Sequence, residues 1–95
     1  MIRPTAELCF ASAIGPSRMP RVPRPIPCFL DGMDYVGYVY GEQRWRSKDK
    51  KRLYTWDGLH GEIEVFNRRG RHLGALHAVT GVLIKNPVKG RHISV

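Results

Sequence analysis

Cysteine is scarce in this sequence, which holds only Cys9 and Cys28. One bridge at most can form, and the pair has no metal-site spacing, so neither a disulfide framework nor a cysteine-rich zinc site is available. The expectation is two reduced thiols in a cytoplasm-like compartment. Acidic side chains are also few, eight against sixteen lysines and arginines. No apolar run approaches the roughly 20 residues that cross a bilayer. The opening stretch from Met1 to Gly15 carries Glu7 inside its apolar run, a poor match to a secretory leader. There is no internal repeat, and 95 residues provide for one small domain.

What charge there is, is unevenly placed. Up to Glu42, the basic groups Arg3, Arg18, Arg21 and Arg24 are balanced by Glu7, Asp31, Asp34 and Glu42. Beyond it stand twelve basic groups against Asp49, Asp57, Glu62 and Glu64, so the whole net charge of +8 belongs to residues 43–95. So local an excess suits a phosphate backbone or an acidic protein, the plainer reading being a solubilising surface.

Thr5 can cap a short helix over Ala6 to Ile14, closed by Gly15 and Pro16. Five prolines from Pro16 to Pro27, interleaved with Arg18, Arg21 and Arg24, then predict an extended strap. Tyr35 to Tyr40 reads as a strand whose tyrosines are expected in the core rather than stacked on bases. Arg44, Trp45, Arg46 and Lys48 form a basic run with an indole inside it, which suits backbone tracking and stacking or, alternatively, a solvated edge. Short alternating runs follow at Arg52 to Trp56, Glu62 to Phe66, Arg71 to Leu76 and Val82 to Ile84, with turns at Asp57-Gly58, Asn67 to Gly70 and Thr80-Gly81. The expected class is α+β: a twisted antiparallel meander with a short N-terminal helix, folding as a single domain. Residues 1–42 supply helix, strap and one strand, and residues 43–95 the sheet core.

The chemistry is densest at Asp57-Gly58-Leu59-His60-Gly61-Glu62-Ile63-Glu64. RNA can be cut through its own 2′-hydroxyl without a metal, given a base, an acid and a cation for the charged phosphorane. Carboxylate, imidazole and guanidinium fit those parts. His60, Glu62 and Glu64 share strand parity, with Ile63 and Val65 turned to the core. In a straight strand His60 and Glu64 would lie about 13 Å apart at Cα. They can flank one phosphate only if His60 sits in a bend, which Gly58 and Gly61 permit. Asp57 is placed to fix the imidazole tautomer. Spacing alone leaves Glu62 as good a base as Glu64. Two other readings stand beside this one: an ordinary charged hairpin face, and a metal site from Asp57, His60, Glu62 and Glu64, whose spacing matches no standard zinc or calcium arrangement. His72 and His77 read as surface groups.

Trp45 to Lys48, Tyr54-Thr55-Trp56-Asp57, His60-Gly61-Glu62-Ile63-Glu64, His72-Leu73-Gly74, Thr80-Gly81, Lys85 and Pro87 to Arg91 together resemble the cytotoxic ribonuclease domain of the E-group colicins and cloacin, over residues 43–95. The resemblance implies a bacterial toxin that cuts 16S ribosomal RNA at the decoding site of the small subunit by 2′-hydroxyl attack, blocking translation in the bacterial cytoplasm. It implies an acidic immunity protein as partner, with no DNA substrate, no membrane span and no metal or other cofactor. On the family pattern Glu64 is the base, His60 the acid, Asp57 its support and Arg91 the transition-state cation. Lys85 binds the phosphate, and Glu62, Phe66, Arg44, Trp45, Arg46 and Lys48 are the further substrate-side positions. Phe66 replaces a family tyrosine and so lacks a hydroxyl. A non-catalytic RNA- or ribosome-binding module derived from such a toxin is the alternative.

Overall fold

Alternating sequence becomes alternating faces here. The computed structural model describes residues 21–95, so the helix expected before Gly15, Cys9 and the start of the proline segment lie outside the described residues. Six strands, β1 (Asp34–Val39), β2 (Glu42–Arg46), β3 (Arg52–Asp57), β4 (Glu62–Asn67), β5 (His72–Leu76) and β6 (Leu83–Lys85), form one antiparallel sheet in sequence order. Each neighbour is reached by a short turn, the least costly way to order a meander. The expected antiparallel sheet is therefore present. Among the described residues the helical content is one 3-10 turn, Phe29–Gly32, and no helix is long and apolar enough to cross a membrane.

One face of the sheet is the core. Trp45, Tyr54 and Val65 lie side by side across β2, β3 and β4, and with Ile63 and Leu76 they pack on Cys28 and Leu30. Ile63 and Leu30 are fully enclosed. The chain from Val22 to Met33 supplies the cover, tied down by Phe29 N–H donating to Ala78 O at 2.8 Å, while Cys28 N–H donating to Asp31 Oδ2 at 2.9 Å closes the 3-10 turn within it. Arg24 lies over the Trp45 ring, 4.9 Å from its centroid.

The opposite face carries the polar groups. Because side chains alternate, the residues between the core positions form cross-strand rows: Arg44, Thr55, Glu64, Ala75 and Lys85 in one, and Arg46, Leu53, Phe66 and His72 in the next. Bulges at Tyr35/Gly37, Val65/Phe66 and Ala75/Leu76 adjust the register and sharpen the twist.

Two expectations need correction. The tyrosines of β1 and of the turn after it are not core: Tyr35, Tyr38 and Tyr40 are 53%, 71% and 84% exposed, because β1 is an edge strand and the cover crosses the sheet further in. Conversely Trp45, expected as a stacking surface amid arginines, is 5% exposed. Period-two alternation sends Arg44 and Arg46 to one face and the indole to the other.

Candidate active site

The turn between β3 and β4 does what its glycines allow. Gly61 has φ +71°, a conformation a Cβ disfavours, and it lets the chain reverse so that His60 folds back toward Asp57. Asp57 Oδ1 accepts from the N–H groups of Leu59 and His60, at 3.0 and 3.2 Å. Its Oδ2 lies 2.7 Å from His60 Nδ1. A carboxylate there fixes the proton on Nδ1 and turns Nε2 outward, free to exchange a proton. Burial pushes the Asp57 carboxyl up, but the hydrogen bonds from the His60 side chain and the two backbone amides outweigh it and hold the group below its ordinary value of 3.8.

The strap braces this turn. Val22 N–H donates to Gly58 O at 2.7 Å, and Trp56 Nε1–H donates to Val22 O at 3.0 Å. A Cβ on Gly61 would meet Val22 Cγ1 at 3.1 Å.

Glu64 stands across the cavity from His60 and is held more tightly. His72 Nδ1 accepts from Val88 N–H at 2.9 Å. A backbone amide can only donate, so that nitrogen bears the lone pair and the neutral ring carries its proton on Nε2. Nε2 donates to Glu64 Oε1 at 2.7 Å. Arg91 Nη1 donates to the same oxygen at 3.1 Å, and Arg91 is itself fixed by His72 N–H donating to its carbonyl at 3.0 Å. Oε1 is thus occupied twice, while Oε2 accepts nothing from the described residues. His72 is 3% exposed, so the surface placement expected for it is wrong: it is a buried group that orients a carboxylate. His77 is exposed and closes its own turn, Nδ1 accepting from Val79 and Thr80 N–H.

Asp57, His60, Glu64, Lys85 and Arg91 line one cavity of about 250 Å³ with His72, Ala75, Asn86 and Val88. A second hollow of about 270 Å³ shares Asp57, Glu64 and Arg91 with it and continues past Arg21, Thr55 and Phe66. Glu62 pairs with Lys85, Oε1 to Nζ at 2.9 Å, and the carboxylate beside it raises the Lys85 pKa above 10.5. Asp57, His60 and Glu62 can bring one ligand atom each within 4.8 Å of one another. Within this set Asp57 and His60 are paired with each other, and Lys85 brings a positive charge to the Glu62 carboxylate.

The remaining substrate-side positions scatter. Phe66 is buried, its ring 5.3 Å from that of His72 in an edge arrangement. Arg44 is buried and donates from Nη1 to Ser94 O at 2.8 Å. Arg46 is exposed on the site face. Lys48 pairs with Asp34, Nζ to Oδ1 at 2.5 Å, in an exposed contact, and is not among the groups lining the Glu64 cavity.

Sequence comparison places a chain with this braced cavity on a basic meander sheet in the class of bacteriocin ribonuclease domains. It belongs to the Cytotoxic family, of the colicin E3 ribonuclease type, whose pattern matches residues 38–94. That match begins within β1. Among Escherichia coli proteins, cloacin is 41% identical over 51 residues, 53% of this chain and 9% of cloacin. Colicin E3 is 36% identical over 52 residues, 54% of this chain and 9% of the colicin. Colicin-E6 is 37% identical over 51 residues, with 53% and 9% covered. The chain therefore spans about a tenth of the length of the curated relatives it matches.

Proposed function

We propose that this chain is a metal-independent endoribonuclease that cuts 16S ribosomal RNA in the decoding site of the bacterial small subunit and so stops translation. Glu64 Oε2 takes the proton of a 2′-hydroxyl, and the freed oxygen attacks the adjacent phosphorus. Arg91 and Lys85 steady the charge gathered on the phosphorane oxygens. His60, protonated and supported by Asp57, passes a proton from Nε2 to the departing 5′-oxygen. The products are a 2′,3′-cyclic phosphate and a 5′-hydroxyl; His60 ends neutral and Glu64 protonated, and solvent exchange resets both.

The observation that carries this reading is the single cavity shared by His60, Glu64, Lys85 and Arg91, with one Glu64 oxygen fixed and the other open. An acidic immunity protein that masks the basic half of the chain follows from the same reading, as does action in the cytoplasm of a target bacterium. The test is incubation with bacterial ribosomes. A discrete 3′ fragment of the small-subunit RNA is expected from the wild type, undiminished by chelator and absent with His60→Ala or Glu64→Gln. Salt-sensitive ribosome binding without a fragment would instead identify a non-catalytic binding module.

A further inference from the structure

Beyond the cavity at Glu64, the same face of the sheet holds a groove of about 380 Å³ that the cleavage chemistry does not use. Its floor is apolar, with Val36 from β1 and Leu53 from β3, and its cationic groups are Arg44, Arg46, Lys50 and Arg68. Among the described residues no acidic side chain lines it. Leu53 pairs directly with Phe66, and Phe66 lines the hollow that shares Glu64 and Arg91 with the acid–base cavity. The groove and the site are thus neighbours along one face, with the segment at Ile93 to Val95 between them. Arg44 supplies an independent sign of a missing ligand. It is 6% exposed, donates Nη1 to Ser94, and leaves its buried Nε without a partner among the described residues. A buried unpaired donor is costly and is expected to find an acceptor when one arrives.

We infer that this groove is a nucleotide subsite: it takes one unpaired RNA base on Val36 and Leu53 and the phosphates on either side of it on Arg44, Arg46, Lys50 and Arg68. The inference rests on the proposed ribonuclease reading and adds to it where the substrate strand runs. The volume falls in the range of small-ligand sites. An apolar floor ringed by cations suits single-stranded RNA, whose bases can be splayed from the backbone, better than a duplex or an acidic protein surface.

The probes are RNA oligonucleotides with a 2′-deoxy sugar at the cut, so that binding is read without turnover. A dinucleotide fills only the site at Glu64; longer probes extend from it on the 5′ or the 3′ side. Lys50→Ala/Arg68→Ala changes two exposed side chains of the groove and leaves the core untouched. It is expected to weaken one of the long probes about tenfold, to reduce the slope of log affinity against log salt by about 1.4, and to leave the dinucleotide unchanged. Lys50→Arg/Arg68→Lys should keep most of the wild-type binding, and an abasic nucleotide in the groove should weaken wild-type binding roughly fivefold. Equal effects on short and long probes, no effect on either long probe, or stronger competition by polyglutamate than by RNA would overturn the subsite. These readouts need no cleavage, so a protein that fails on ribosomes yet passes here loses the catalytic reading and keeps the groove.

Discussion

His72 is a buried side chain on which the position of Glu64 rests. Its ring spans two fixed points, Val88 N–H and Glu64 Oε1, so changing it frees the carboxylate to swing. His72→Ala should lower single-turnover cleavage about a hundredfold, the scale of a misplaced catalytic group. It should also lower stability by about 1–3 kcal/mol through the stranded amide. Both are measurable by fragment yield and urea unfolding; unchanged cleavage by a folded variant would deny the orienting role. Asp57 makes the second prediction at this scale. Its folded pKa lies below 3.8, so its contribution is whole above that value and is lost as pH falls through the folded one. Unfolding midpoints of Asp57→Asn should therefore trail the wild type at neutral pH and converge with it in strong acid. The Asp57 to His60 contact was legible because three residues and two glycines settle it. The His72 contact was not, since it depends on a bulge at Val65/Phe66 that sets Phe66 opposite His72 and on a loop sixteen residues away.

At the scale of elements, the site belongs to a turn clamped by a strap. The meander was readable in the sequence because each run alternates and each break carries Gly, Asn or Asp. What the sequence concealed was which edge the strap would leave uncovered, and hence that Tyr35, Tyr38 and Tyr40 face solvent. The same alternation rule, applied across Arg44-Trp45-Arg46, would have sent the indole to the core. The clamp predicts that Gly61→Ala is costly twice over. The added methyl meets Val22 at 3.1 Å, and the residue sits at φ +71°, where a side chain costs about 1–2 kcal/mol. The expected result is a loss of that order in stability, with a larger fall in kcat than in binding, because the displaced group is the imidazole rather than an RNA contact. Equal kcat in the variant would show that the turn does not position His60.

Over the whole molecule, the division of labour is between two faces of one thin sheet. The face toward Cys28 and Leu30 holds the fold together, and the other carries the cavity lined by His60 and Glu64 and a field of cations drawn from a net charge of +8. Such a field raises encounter with a polyanion and is screened by salt. Cleavage of ribosomes should therefore lose kcat/KM steeply between low and physiological salt while kcat holds. The most direct test of the central claim lies in the substrate rather than the protein. RNA carrying a 2′-deoxy sugar at the scissile nucleotide should bind and remain whole, while the matching all-ribose strand yields a 2′,3′-cyclic phosphate and a 5′-hydroxyl. Cleavage of the deoxy strand, or a cut that leaves a 5′-phosphate, would contradict the account.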